Sequence, residues 1–113
     1  MNFKVYKQAK VVYKNIIRVV NPLPKDWQYD LGKQIRRSAL SIILNIAEGS
    51  AKKSDKEFCY CLESSITSTN ETLAGMDLLF DNKLISKEVH NKLSEQLEGM
   101  AKQLGGLIKK LSC

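Results

Sequence analysis

A chain of 113 residues is one domain by length and can bury a core without covalent staples. Its 43% hydrophobic and 27% charged residues are those of a soluble globular protein, and no apolar run approaches bilayer-spanning length. The formal net charge of +6 is unevenly spread. Residues 1–56 hold 12 Lys/Arg against 4 Asp/Glu, and residues 57–113 hold 6 against 8. The first acid is Asp26, so the N-terminal half favours an anionic partner.

The opening residues lack the continuous apolar stretch of a signal peptide, and the cytoplasm is the expected compartment. Three cysteines fit a reducing environment. Cys59 and Cys61 stand two apart, a helical spacing that turns them to different faces and suits neither a disulfide nor a zinc pair. Reduced structural thiols are expected, with a mobile Cys113.

In chain order, the spacing predicts a first helix over about residues 3–20. Tyr6, Ala9, Tyr13, Ile16 and Val20 share one face, with Val5, Val12 and Val19 beside them. Opposite lie Lys4, Lys7, Lys10, Lys14 and Arg18, a continuous basic face. Pro22 disfavours helical geometry at Asn21 and marks a rigid connector.

A second helix is expected over about 28–48, ending at Gly49 through the left-handed conformation that glycine tolerates. It carries two apolar faces. Leu31, Ile35, Ala39, Ile42 and Ile46 form one, and Leu40, Ile43, Leu44 and Ala47 form the other. A lone amphipathic helix needs a stripe little more than about 100° wide, so this helix should be buried on two sides. Either neighbouring helices of the same chain or another subunit would cover it.

The remaining side is a polar seam of Gln34, Arg37, Ser38, Ser41, Asn45 and Glu48. It serves either as a ligand surface or as an interhelical hydrogen-bond network that sets register and oligomer state. Glu48 opposes the helix dipole by about 0.3–1 kcal/mol, so a cationic or N–H partner is expected for it.

Lys52 and Lys53 fall in a short basic loop. Ser54 and Glu57 then match a capping box and open a third helix over about 55–80. Its heptad is Cys59, Leu62, Ile66, Thr69, Leu73, Met76 and Phe80. Asp81 to Lys83 make a turn. Ser86 is the expected N-cap of a fourth helix over about 87–111, with Leu93, Leu97, Met100, Leu104, Leu107 and Leu111 in heptad register. Gly99, Gly105 and Gly106 weaken this helix. They imply either a close neighbouring backbone or fraying.

Short connectors between four helices predict an all-α, up-down-up-down four-helix bundle with left-handed packing. No Gly-rich phosphate loop, metal-ligand spacing or nucleophile elbow is present. The only histidine, His90, falls in an exposed first helical turn and cannot supply the paired motifs of a di-metal bundle. No catalysis, cofactor, metal or small-molecule substrate is therefore expected. The basic face, with Lys52 and Lys53, is the candidate nucleic-acid surface. The pI near 9.3 suits such a role, and binding would be backbone-directed and salt-dependent. A protein–protein adaptor whose charge only aids solubility is the competing reading.

Residues 34–39 (QIRRSA) and 41–49 (SIILNIAEG) resemble the signature of the four-helix-bundle family of 23S rRNA intervening-sequence proteins. Val5, Tyr6 and Ala9 resemble that family's opening segment, Glu57, Phe58 and Leu62 its third helix, and Leu107 to Lys109 its ending. Ser68 and Glu71 also match. Thr67 and Thr72 depart from the family's glycine and leucine, and Lys52 stands near a frequent arginine. The resemblance implies a ring-like homo-oligomer, a pentamer, with Gln34, Arg37, Ser41, Asn45, Glu48, Gly49 and Glu71 as structural or assembly residues.

Overall fold

A computed structural model describes residues 3–111 and 113, and these are all helix and connector with no strand. The long helices are α1 (Lys4–Val20), α3 (Lys33–Ser50), α4 (Asp55–Asp81) and α5 (Lys87–Lys110). A short turn, α2 (Lys25–Trp27), leads through a π-helical turn (Gln28–Gly32) into α3. The single helix expected from about residue 28 is instead entered through this composite of an α-helical turn and a π-helical turn.

The entry is built on one side chain. Gln28 points its amide nitrogen at the carbonyls of Val20, Asn21 and Leu23 (2.7, 2.7 and 3.1 Å). They lie where α1 ends and its carbonyls run out of helical partners, with Val20 O also accepting from Leu23 N at 3.1 Å. Its Oε1 accepts from Arg36 Nη2 at 2.7 Å, and the same nitrogen donates to Asn21 Oδ1 at 3.0 Å. Asn21 itself stays in the right-handed helical region (φ −57°, ψ −40°), contrary to the effect expected of Pro22. A backbone bond from Asn21 N to Ile17 O at 2.9 Å outweighs the proline's steric bias there.

One core joins the long helices. Val5, Ala9, Val12, Ile16 and Val20 from α1 meet Ile35, Ala39, Ile42 and Ile46 from α3. Leu62, Met76 and Leu79 from α4 and Leu93, Leu97, Met100 and Leu104 from α5 complete it. Both serine caps form: Ser54 Oγ accepts from Glu57 N, and Ser86 Oγ from Val89 N, each at 3.1 Å. The Glu57 carboxylate accepts from the Ser54 hydroxyl at 3.1 Å rather than reaching back to a backbone N–H. Thr69, at a core heptad position, is fully buried and donates to Ser65 O at 2.8 Å.

Several expectations are corrected. Gly49 is not a left-handed terminator: no glycine among the described residues has positive φ, and α3 runs through Ser50. A Cβ at Gly49 would lie 2.8 Å from Cys61 Cβ and from Phe58 Cδ1, so close helix approach selects glycine there. A Cβ at Gly99, Gly105 or Gly106 would meet nothing within 4 Å, which removes close approach within the chain as their explanation. Cys59 and Cys113 are joined by a disulfide with Cα atoms 6.4 Å apart, because α5 returns its end to the start of α4. Only Cys61 is a free thiol, and it is buried. His90 is half-buried, 2.8 Å from Asp77 Oδ1 and stacked on Phe80 with ring centroids 4.7 Å apart.

Candidate nucleic-acid interface

The 3.6-residue period fixes what α1 shows to solvent. Because Val5, Ala9, Val12, Ile16 and Val20 turn inward, Lys4, Lys7, Lys10, Lys14 and Arg18 are all exposed on the outer side. Among the described residues only Glu48–Lys52 (3.7 Å) and Asp77–His90 form charged contacts, so none of these five cations is paired. Lys10 Nζ rests 5.0 Å from the Tyr6 ring centroid, a contact that leaves its charge available. Lys53 is likewise exposed. Lys52 differs, since it supplies the cation that Glu48 lacks at the end of α3 and offers less net charge to a ligand.

The polar seam lies along the α3–α4 junction, where partners run in opposite chain directions. Gln34 Nε2 donates to Glu71 Oε2. The Ser38 and Thr72 hydroxyls are 2.8 Å apart, Ser68 Oγ donates to Ser41 Oγ at 2.9 Å, and Ser65 Oγ to Ile42 O at 2.9 Å. Every buried side-chain nitrogen and oxygen among the described residues has a partner, so Ser38, Ser65, Ser68 and Thr72 act as interhelical connectors. Thr72 also donates to Ser68 O at 2.8 Å within α4.

The Asn45–Glu48 end of the seam differs from the rest. Asn45 is half-buried and bonds only within α3, to Ser41 O and Oγ (2.9 and 3.0 Å). Glu48 and Arg37 are exposed. Asn45, Glu48, Lys52, Glu57 and Tyr60 line an open hollow of about 230 Å³. The seam is thus a network at its centre and an accessible surface around Asn45 and Glu48.

The second apolar face of α3 is only partly covered. Ile43 is buried, but Leu40 and Leu44 remain 40% and 55% exposed. Neighbouring helices of the same chain therefore do not bury both sides of α3.

Sequence reasoning missed Gln28 and Arg36, which fix the α1–α3 connector. The helical period does not reveal a side chain that caps a helix eight residues away. No group of three or more His, Cys, Asp or Glu able to hold a metal occurs among the described residues. No helix among them is long and apolar enough to cross a membrane.

The family model of 23S rRNA-intervening sequence proteins matches residues 1–106. The chain belongs to that family. Its fold is similar to a crystal structure of a protein of unknown function from the S23 ribosomal protein family of Bacteroides thetaiotaomicron VPI-5482. The two are 24% identical with a TM-score of 0.87, over 93% of this chain and 98% of that one. No curated protein matches this chain.

Proposed function

We propose that this intervening-sequence family member is a non-catalytic scaffold of the cytoplasm that binds RNA through its basic surface. In this reading the up-down-up-down, left-handed bundle assembles into a ring-like homo-oligomer, a pentamer. The observation that carries the RNA reading is the row of five exposed, unpaired cations on α1. Rows of this kind attract phosphate by Coulomb attraction and counterion release rather than by reading bases. A ring would repeat the row on every subunit. The exposed Leu40 and Leu44 support assembly, because apolar side chains beside one another gain from being covered.

Charge reversal of Lys7, Lys10, Lys14 and Arg18 together tests it. Affinity for a mixed-sequence RNA should fall by about two orders of magnitude or more at low salt, while mass by light scattering stays unchanged. RNA affinity insensitive both to those substitutions and to added salt would sink the proposal. Loss of a protein partner with no RNA affinity in the parent protein would establish the adaptor reading, which the same exposed leucines favour.

A further inference from the structure

The groove between α1 and α5 has a composition that its own packing does not explain. On the α1 side the residues at 3/4 spacing are Lys4, Gln8, Val11, Asn15 and Arg18. On the α5 side they are Lys92, Gln96, Gly99, Gln103, Gly106 and Lys110. The two rows run in opposite directions and mirror each other. Gln103 Nε2 donates to Gln8 Oε1, and Asn15 Nδ2 to Gln96 Oε1 at 3.4 Å.

Each end of this amide-lined stretch opens into a mostly apolar hollow with two cations on its rim. Arg18 and Lys92 flank one of about 170 Å³, and Lys4 and Lys110 flank one of about 260 Å³ that Phe3 also lines. None of the four cations is in an ion pair among the described residues. Lys4 and Arg18 stand fourteen residues apart, about 21 Å along a helix. Stacked nucleotides spaced by about 3.4 Å would number roughly six over that distance, and fewer in an extended strand.

The glycines point the same way. Each costs α5 up to about 1 kcal/mol relative to alanine, and no atom beyond the adjoining α5 backbone and the flanking residues lies within 4 Å of a Cβ placed at Gly99 or Gly106. Glycine is otherwise selected where a backbone must be approached closely. Val11, which the Gln8–Gln103 and Asn15–Gln96 pairing sets opposite Gly99, is 57% exposed. The chain leaves this floor bare.

We propose that the α1–α5 groove seats single-stranded RNA. The Lys4/Lys110 and Arg18/Lys92 pairs hold phosphates, and bases lie over Gly99 and Gly106 against the amide pairs. This rests on the RNA reading above and moves the contact from the outer face of α1 to the groove it shares with α5. Side-chain amides can donate to and accept from base edges or ribose hydroxyls, and the apolar hollows suit unstacked bases. A duplex offers no free bases to such a groove.

The test uses the full chain and a short fluorescent single-stranded RNA of mixed sequence, with its duplex as a second probe. The parent protein should prefer the single strand. Lys92→Glu with Lys110→Glu should weaken single-strand binding by about tenfold or more and lower its salt slope by about 1.4, the contribution of two single-strand phosphate contacts. Gly99→Leu should weaken binding severalfold with no change of charge, while helicity and mass are retained. Its partner variant Gly106→Leu should act alike.

If neither the α5 charge pair nor the glycine variants alter affinity, while reversal of Lys7, Lys10 and Lys14 abolishes it, the groove is excluded and the outer-face reading survives. Equal affinity for single strand and duplex also overturns the groove. Absence of any RNA binding by the parent protein at low salt overturns both readings.

Discussion

At the residue scale, the glycines divide into two kinds that a sequence shows identically. Gly75 sits where a Cβ would lie 2.6 Å from Ile35 Cγ1. That atom is tied near the backbone of a fully packed side chain, so it cannot swing aside. Gly75→Ala should therefore destabilise the chain by about 1–3 kcal/mol, read as a lower denaturant midpoint at unchanged slope. Gly105→Ala meets no atom and has no positive φ to oppose it. It should raise the midpoint, by up to about 1 kcal/mol. Equal effects at the two positions would refute the packing account. The sequence makes the helices and their inward faces legible, since the 3.6-residue period alone picks out Ile16, Ile46, Leu62 and Leu97. It does not show which glycine another helix touches, because that depends on interaxial distance. For the same reason Gly49 reads as a terminator in the sequence and proves to be a contact.

At the element scale, the end of α5 is held by more than its own propensity. Gly105 and Gly106 weaken the helix there, and Leu107, Ile108 and Leu111 are only half-buried. The disulfide from Cys113 to Cys59 at the start of α4 fastens this stretch across a sequence separation of 54. No sequence pattern signals that pairing, because it depends on the lengths of α4 and α5 matching so that one returns to the other. In the loop-entropy account a closure of this size stabilises by about 4 kcal/mol. Cys113→Ser, or reduction by a dithiol, should lower the melting temperature and speed amide exchange over residues 105–111, leaving α1 and α3 protected. Identical melting of the oxidised and reduced protein would show that the clasp carries no stability. In a reducing compartment the thiol form prevails, and the end of α5 is then the first part of the chain to open.

At the scale of the molecule, charge and exposed apolar surface are arranged with a direction. From Glu57 through Asp81, α4 carries five acids and no Lys or Arg, whereas α1 carries five Lys/Arg and no acid. On the outer side of α3, Lys33, Arg37, Leu40 and Leu44 follow one another at 3/4 spacing, all exposed. On the outer side of α4 the same spacing gives Tyr60, Ser64, Thr67, Glu71, Ala74 and Leu78, with exposed aromatic and apolar ends. The α3 stripe is basic and apolar, and the α4 stripe is apolar and polar with one acid, Glu71. A head-to-tail contact that sets the α3 stripe of one subunit against the α4 stripe of the next closes into a ring when the rotation allows. Leu44 is the residue that tests this contact. It is 55% exposed, so Leu44→Glu removes little core packing and should leave the melting of an isolated subunit within about 0.5 kcal/mol of the parent. In such a head-to-tail ring the new carboxylate replaces an apolar contact and faces the Glu71-bearing stripe of the next subunit, and light scattering should then report monomer at micromolar concentration. Leu44→Lys, which keeps the charge complementary, should retain more of the assembly than Leu44→Glu. If both variants keep the parent mass, the outer face of α3 lies outside the subunit contact.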